Sequence, residues 1–326
     1  MRLLTAVPYY YCNDTRAIEP QFYYLFKVPE SMGHQVDCLD FITAAKISPE
    51  HVRRLFLALI SSGKYDCAFI ATHRDEFDRQ TLKEAQRHCP VIAWNSDDEW
   101  RWNSYSSQQV DWYSWMVTNS AEVYAREKPA HPNLLHAQWA CTGFWDGRST
   151  PKDVDFSFAG QYHGRRREQA QFLAKSAGLA AFGMGAKDLN VAVPARLPDD
   201  LKAPMYQTTL HFESINKVWN RSRISFTPLD SSDGSTMQIK SRVFDMGLSG
   251  TLMLAPAAAP VARYYEPGKE YVTFEDLEDC VEKARYYLAH ESERRRIADA
   301  YAARTLADHL WRYRIEAVLR QAGMAA

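Results

Sequence analysis

The sequence lacks most of the features that would place a protein quickly. It has no excess of charge: 39 basic and 40 acidic residues leave a formal net charge of -1. That excludes the broad cationic field that draws proteins to nucleic acid or anionic lipid. No apolar run approaches the roughly 20 residues of a membrane-spanning helix. The opening "MRLLTAVPYYYCND" holds an apolar stretch too short for a signal peptide. The six cysteines, Cys12, Cys38, Cys67, Cys89, Cys141 and Cys280, form no CxxC pair and meet no histidine at zinc-finger spacing. Cys38 and Cys67 lie in apolar runs and read as small core residues. The expected compartment is therefore reducing, and the expected location cytoplasmic. Internal repeats, low-complexity segments, a Walker A loop, GxGxxG, Gly-x-Ser-x-Gly and HExxH are also missing. Neither hydrolytic triad chemistry nor a tightly held metal is expected.

What is present suits two ordinary domains. With 326 residues, 46% hydrophobic and 24% charged, the chain can bury two cores. Aromatics make up 13%, enough for well-filled cores or for sugar-stacking surfaces. Apolar strands alternate with helical text from the start: Arg2 to Val7, Gln35 to Phe41, Tyr65 to Thr72, Pro90 to Asn95, then "WYSWMVTNS" and "NLLHAQW". Ser48 and Pro49 mark one helix start, and Gly33 and Gly63 mark helix stops. This predicts an open α/β sheet of mostly parallel strands. "CTGFWDGRSTPKD", Cys141 to Asp153, has no periodic apolar pattern and reads as a linker. The alternation then restarts with "VDFSFAG", "LAAFGMG", "RISFTPL", "GTLMLA" and "EYVTF", and ends in a helical tail with breaks near His290 and His309. Two α/β halves imply a cleft, with ligands at the carboxyl ends of strands.

Three loops after strands carry candidate chemistry. "LDSSDGSTMQ" leads into "QIKSRVFDMGLSG", where Ile239, Val243 and Met246 follow helical spacing. A Gly/Ser-rich loop before a helix N-terminus favours phosphate, with Lys240 and Arg242 as formal cations. The same text suits a capped helix with a solvated Arg242–Asp245 pair. In "FAGQYHGRRREQ", Gly160 ends a strand, and His163 and Arg165 to Arg167 open the next helix. Cations there oppose the macrodipole unless an anion sits nearby; acidic neighbours or solvent would serve equally. In "AWNSDDEWRWN", Asp97 and Asp98 suit a metal, a base, sugar hydroxyls or a helix cap. His73, after the third strand, is a general-base candidate.

The second half resembles the C-terminal half of group-1-like glycosyltransferases. The similar text is "SRVFDMGLSGTLMLAP" followed by "RYYEPGKEYVTFEDLEDCVEKARYYLAHESERRRIADA", and the branch it resembles is the CgeB-like (spore maturation protein) one. "MGHQV", "PVIAWNSDD" and "WMVTNSAEVYAREK" extend the resemblance more loosely into the first half. It implies the GT-B architecture: two Rossmann-like domains facing a central cleft, the last helix crossing back to the first. Residues 1–147, joined by 308–326, would form the acceptor side, and 148–307 the donor side. The implied activity is transfer of a sugar from a nucleotide-activated donor, without an essential metal or other cofactor. The acceptor is left open: glycan, lipid-linked, protein or small molecule, with peripheral membrane contact allowed.

The resemblance assigns Lys240 and Arg242 to the donor phosphates, with Ser235 and Thr236 donating. Gly160, His163 and Arg165, singled out above by their place after a strand, fall in the same half and are expected on the donor side. Asp245 stands where the family has Glu and would bind a ribose or sugar hydroxyl. Glu270 would orient the donor or end a turn. Two family features are absent: Met237 replaces the first member of the E-x7-E pair, and "PYYYCND" replaces the first glycine-rich loop. A retaining outcome is expected; an inverting one needs a base, for which Asp97, Asp98 and His73 are the candidates. The alternatives are another GT-B enzyme, such as a nucleotide-sugar epimerase, or a degenerate binding module.

Overall fold

A computed structural model describes every residue except 11–16, 73, 75, 207–209, 232, 233, 325 and 326. The chain divides into two compact units, Met1–Trp139 with Trp311–Ala326, and Ala140–Leu310.

The first unit holds a six-stranded sheet. Its strands are β1 (Arg2–Val7), β2 (Gln35–Asp40), β3 (Cys67–Ala71), β4 (Val91–Trp94), β5 (Trp115–Thr118) and β6 (Leu134–His136). They lie in the order β2-β1-β3-β4-β5-β6, and every pairing is parallel. The central strands are apolar at nearly every position because helices cover both faces. On one face Ile70, Ala93 and Met116 join Val52, Phe56 and Ile60 of the helix Pro49–Ile60. That helix starts as its residues dictate: the Ser48 side chain accepts from the His51 N–H at 3.1 Å, and Pro49 takes the first position. Elsewhere Trp311 stacks on Tyr24 at 4.6 Å and meets Trp94 at 5.0 Å. This tethers the last helix, Trp311–Gln321, to the first sheet.

The second unit holds β7 (Val154–Ala159), β8 (Ala180–Phe182), β9 (Ser222–Phe226), β10 (Leu252–Pro256) and β11 (Val272–Phe274). Their order is β11-β10-β9-β7-β8, again parallel throughout. The segment expected to be a linker is packed inside this unit. Cys141 is 3% exposed, its N–H donates to His309 O at 2.8 Å, and the Gly147 N–H donates to Leu248 O at 2.9 Å. A Cβ on Gly147 would stand 2.1 Å from Asn220 Cγ, so this glycine reflects close packing.

One element differs from its sequence pattern. The helix expected from Gln238 is helical only over Arg242–Asp245, followed by a tighter turn at Met246–Leu248. The Gln238 N–H is already committed to Leu229 O, at 2.9 Å. Ile239, Val243 and Met246 are buried as their spacing requires. The periodicity therefore reported burial, which a hairpin end followed by one helical turn also satisfies.

Candidate functional site

Neighbouring parallel strands release their loops at one sheet edge. β7 and β9 are neighbours, with Phe156 opposite Ile224 and Ser157 opposite Ser225. The loop after β7 (Gly160 to Gly164) and the loop after β9 (from Thr227) therefore emerge together.

Gly160 is where the two loops close on each other. Its N–H donates to Phe182 O at 3.0 Å. A Cβ on Gly160 would lie 2.9 Å from Arg242 Nη2 and 3.1 Å from the Phe158 ring. The Arg242 guanidinium sits 4.8 Å from the Phe158 ring centre, a cation–π arrangement, and Nη1 reaches Pro228 O at 3.4 Å. Gly183, at φ 105, also requires glycine, because a Cβ there would meet Gly160 O at 2.3 Å.

The loop after β9 is a hairpin rather than a run into a helix N-terminus. Asp230 bridges Met237, the Ser231 N–H donates to Thr236 O at 2.8 Å, and the Thr236 N–H donates to Ser231 Oγ at 3.1 Å. Gly234 turns it at φ 75. Ser235 and Thr236 are exposed, but the expected helix start does not follow them. The long helix opening at this edge is Arg165–Ala177, entered through Gly164 at φ 51.

The arginine run separates by helical phase. Arg166 shares a buried stripe with Ala170 and Leu173, while Arg165 and Arg167 are exposed. Arg167 points toward Asp188, 3.9 Å away. Arg166 is 3% exposed; it donates to the main-chain oxygens of Asp230 and Gln161, tying the hairpin to the β7 loop. His163 is exposed, with a ring nitrogen 2.7 Å from Gln161 Oε1. Partial desolvation of the ring lowers its pKa first, and the charges of Arg166 and Lys240 lower it further. Arg166, Lys240 and Arg242 thus share one strand edge with His163 and Gly160.

Two expected donor residues have other surroundings. Asp245 is 6% exposed; burial raises the Cys141 thiol and the Tyr301 phenol, and the Asp245 charge adds to both. Glu270 is 5% exposed. Its Oε2 accepts from the Glu266 N–H at 2.7 Å, and its Oε1 accepts from Arg304 Nε at 3.1 Å. It closes the Glu266–Glu270 turn and anchors the helix Glu291–Asp308.

In the first unit, Asp97 and Asp98 follow β4 with different environments. Asp97 adopts φ 62, a left-handed conformation uncommon for a non-glycine residue, and its side chain makes no helix-cap hydrogen bond. Asp98 is fully buried and accepts from Ser106 Oγ at 2.5 Å. Burial raises its pKa to about 6, against the pull of hydrogen bonds from Ser106 and Thr118. His73 lies outside the described residues. Glu19, half-buried after β1 and raised by burial to about 8, carries no signal in the sequence, where "EP" reads only as a helix start. Asn95 is equally silent in the sequence; it is buried at the end of β4 and accepts from Thr72 Oγ1 at 2.5 Å. For Arg166, the i, i+4, i+7 stripe with Ala170 and Leu173 was the available signal.

Residues 166–320 match the family model described as glycosyl transferase-like. No curated protein matches the chain. Among solved structures, a glycosyltransferase from Rickettsia africae is similar with a TM-score of 0.63 at 9% identity, covering 98% of both chains. Alr3699/HepE of Anabaena, solved with UDP-glucose, is similar at 0.61 and 11% identity, covering 99% of both. Sucrose-phosphate synthase from Thermosynechococcus elongatus is similar at 0.61 and 10%, covering 99% of this chain and 97% of that one. These likenesses establish the fold. It is GT-B, two parallel-sheet Rossmann-like halves, and its second half carries a glycosyltransferase-like domain. No helix among the described residues is long and apolar enough to cross a membrane.

Proposed function

We propose that this chain is a cytoplasmic glycosyltransferase of the CgeB-like branch. It would move a sugar from a nucleotide-activated donor to an acceptor hydroxyl. The observation that carries this is the convergence of three cations at the carboxyl edge of β7 and β9: Arg242 against Gly160, Arg166 on the main chain of both loops, and Lys240 near enough for its charge to act on His163. As the glycosidic bond breaks, negative charge builds on the departing diphosphate. Fixed guanidinium and ammonium groups stabilise that charge as it develops. Arg242 and Lys240 would face the phosphates, with Ser235 and Thr236 donating from the exposed hairpin tip. Arg166 holds the hairpin in place. Since these cations neutralise the leaving group, the reaction is proposed to need no metal. A retaining course needs no strong protein base, because a donor phosphate oxygen can take the acceptor proton.

UDP-glucose, named with the Anabaena neighbour, is the first donor to try. Thermal shift with UDP-, GDP-, dTDP- and CMP-sugars and the free nucleotides, on wild type and Arg242→Ala, tests the donor site. Occupancy at 100 times Kd adds about 2.7 kcal/mol. Stabilisation by one nucleotide class, lost in Arg242→Ala, supports it. No stabilisation by any of them overturns it. Binding without transfer to any acceptor would make the chain a binding module.

A further inference from the structure

The second sheet has another edge, where its strands begin, and it is crowded with cations. Lys152 precedes β7, Arg223 is the second residue of β9, and Arg294 and Arg295 lie near the start of the helix Glu291–Asp308. Lys152 Nζ donates to the main-chain oxygens of Gly147 at 3.2 Å, Asn220 at 2.6 Å and Ser249, an ammonium satisfied without a carboxylate. Arg223 pairs with Asp155 at 3.1 Å. Arg294 is 3% exposed. Its nearest carboxylate oxygen is Glu291 Oε1 at 3.7 Å, which Arg295 shares at 3.7 Å. Among the described residues, Arg294 Nη1 has no hydrogen-bond partner.

Asp155 and Glu291 thus face four cations, with Asp299 one turn further along the helix and acting on Arg148. Asp146, whose charge also reaches Lys152, is held by Arg148 at 2.5 Å. The excess registers on the cations themselves. Burial, then Arg294 and Arg295, lower Lys152 to about 8; burial, with Arg223 and Arg295 adding to it, lowers Arg294. A nearly buried guanidinium with an unused donor is costly, and a tetrahedral oxyanion matches its fork. We propose that this edge binds a small oxyanion, inorganic phosphate or a phosphate ester, on Arg294, with Arg223 and Arg295 contributing. The site is separate from the cations at the other end of the same strands and does not depend on the donor proposal.

The test is a thermal-shift titration with inorganic phosphate against chloride at matched ionic strength. A saturable rise is expected in wild type and in Arg242→Ala. In Arg294→Gln the rise should need about tenfold more phosphate, as expected for a lost charge-assisted hydrogen bond. If Arg294→Gln does not fold, Arg295→Gln replaces it, since that side chain is 70% exposed; phosphorus NMR should then show weakened phosphate binding. Either of two results overturns the proposal: no rise beyond chloride, or a rise lost in Arg242→Ala and kept in the Arg294 and Arg295 variants. With phosphate and a phosphate monoester compared side by side, the tighter binder identifies the source.

Discussion

The Arg242 guanidinium lies over the Phe158 ring, 4.8 Å from its centre, and only a hydrogen at Gly160 leaves room for it there. One strand thus supplies the platform for the next strand's cation. Gly160→Ala should displace the far end of a flexible side chain at a stability cost under about 1 kcal/mol, while weakening nucleotide-sugar binding. Gly183→Ala should act oppositely. Its Cβ meets main-chain oxygen at 2.3 Å at φ 105, so it should destabilise by about 2 kcal/mol or more. Urea melts of both variants beside donor titrations separate the two effects.

His163 gives a pH signature. Its folded pKa lies below 6.5 through partial desolvation and the charges of Arg166 and Lys240. Its contribution to stability is therefore full above pH 6.5 and is lost as pH falls through the folded value. A bound diphosphate reverses the local field, so the His163 pKa should rise on adding nucleotide. Histidine ring resonances followed by NMR with and without UDP report this directly. An unchanged pKa under saturating nucleotide would remove His163 from the donor side.

Asp98 titrates with the opposite sign. Its folded pKa is about 6 against an ordinary 3.8, because burial favours the acid form. That form stabilises the fold below pH 3.8, and the contribution, up to about 3 kcal/mol, is lost as pH rises through 6. Asp98→Asn keeps a neutral acceptor for Ser106. The variant should gain on wild type progressively between pH 4 and pH 7 in chemical denaturation. Because Glu19 is raised to about 8 and acts in the same direction, the difference between variant and wild type is the quantity to measure.

The strands were legible because period and apolar content are local properties of the chain. Arg2–Val7 and the Ser48–Pro49 helix start needed no partner to be seen. The site was legible only in part. "GRRREQ" showed that cations gather after β7, and helical phase could have picked out Arg166. But no local pattern reveals that Gly160 makes room for a side chain from residue 242, or that Glu270 is committed to Arg304. The hairpin at Asp230–Met237 was hidden for the same reason, since a Gly/Ser-rich loop leads equally well into a helix or back on itself.

Asp97 offers a test of the stereochemical course. Its left-handed φ of 62 costs of order 1–3 kcal/mol, and a strained residue after a parallel strand is a reason to ask what it does. Asp98, fully buried on Ser106, is poorly placed to meet a substrate, which leaves Asp97 as the stronger base candidate of the two. Asn tolerates the same backbone conformation, so Asp97→Asn removes the charge without removing the turn. A retaining transferase relying on donor phosphate should keep kcat within about tenfold. An inverting enzyme using Asp97 as its base should lose about 10²–10⁴-fold, with KM for the donor little changed. The anomeric configuration of the product, read by NMR beside these rates, must agree: retention with a large loss of kcat would remove the base role and leave Asp97 positioning the acceptor.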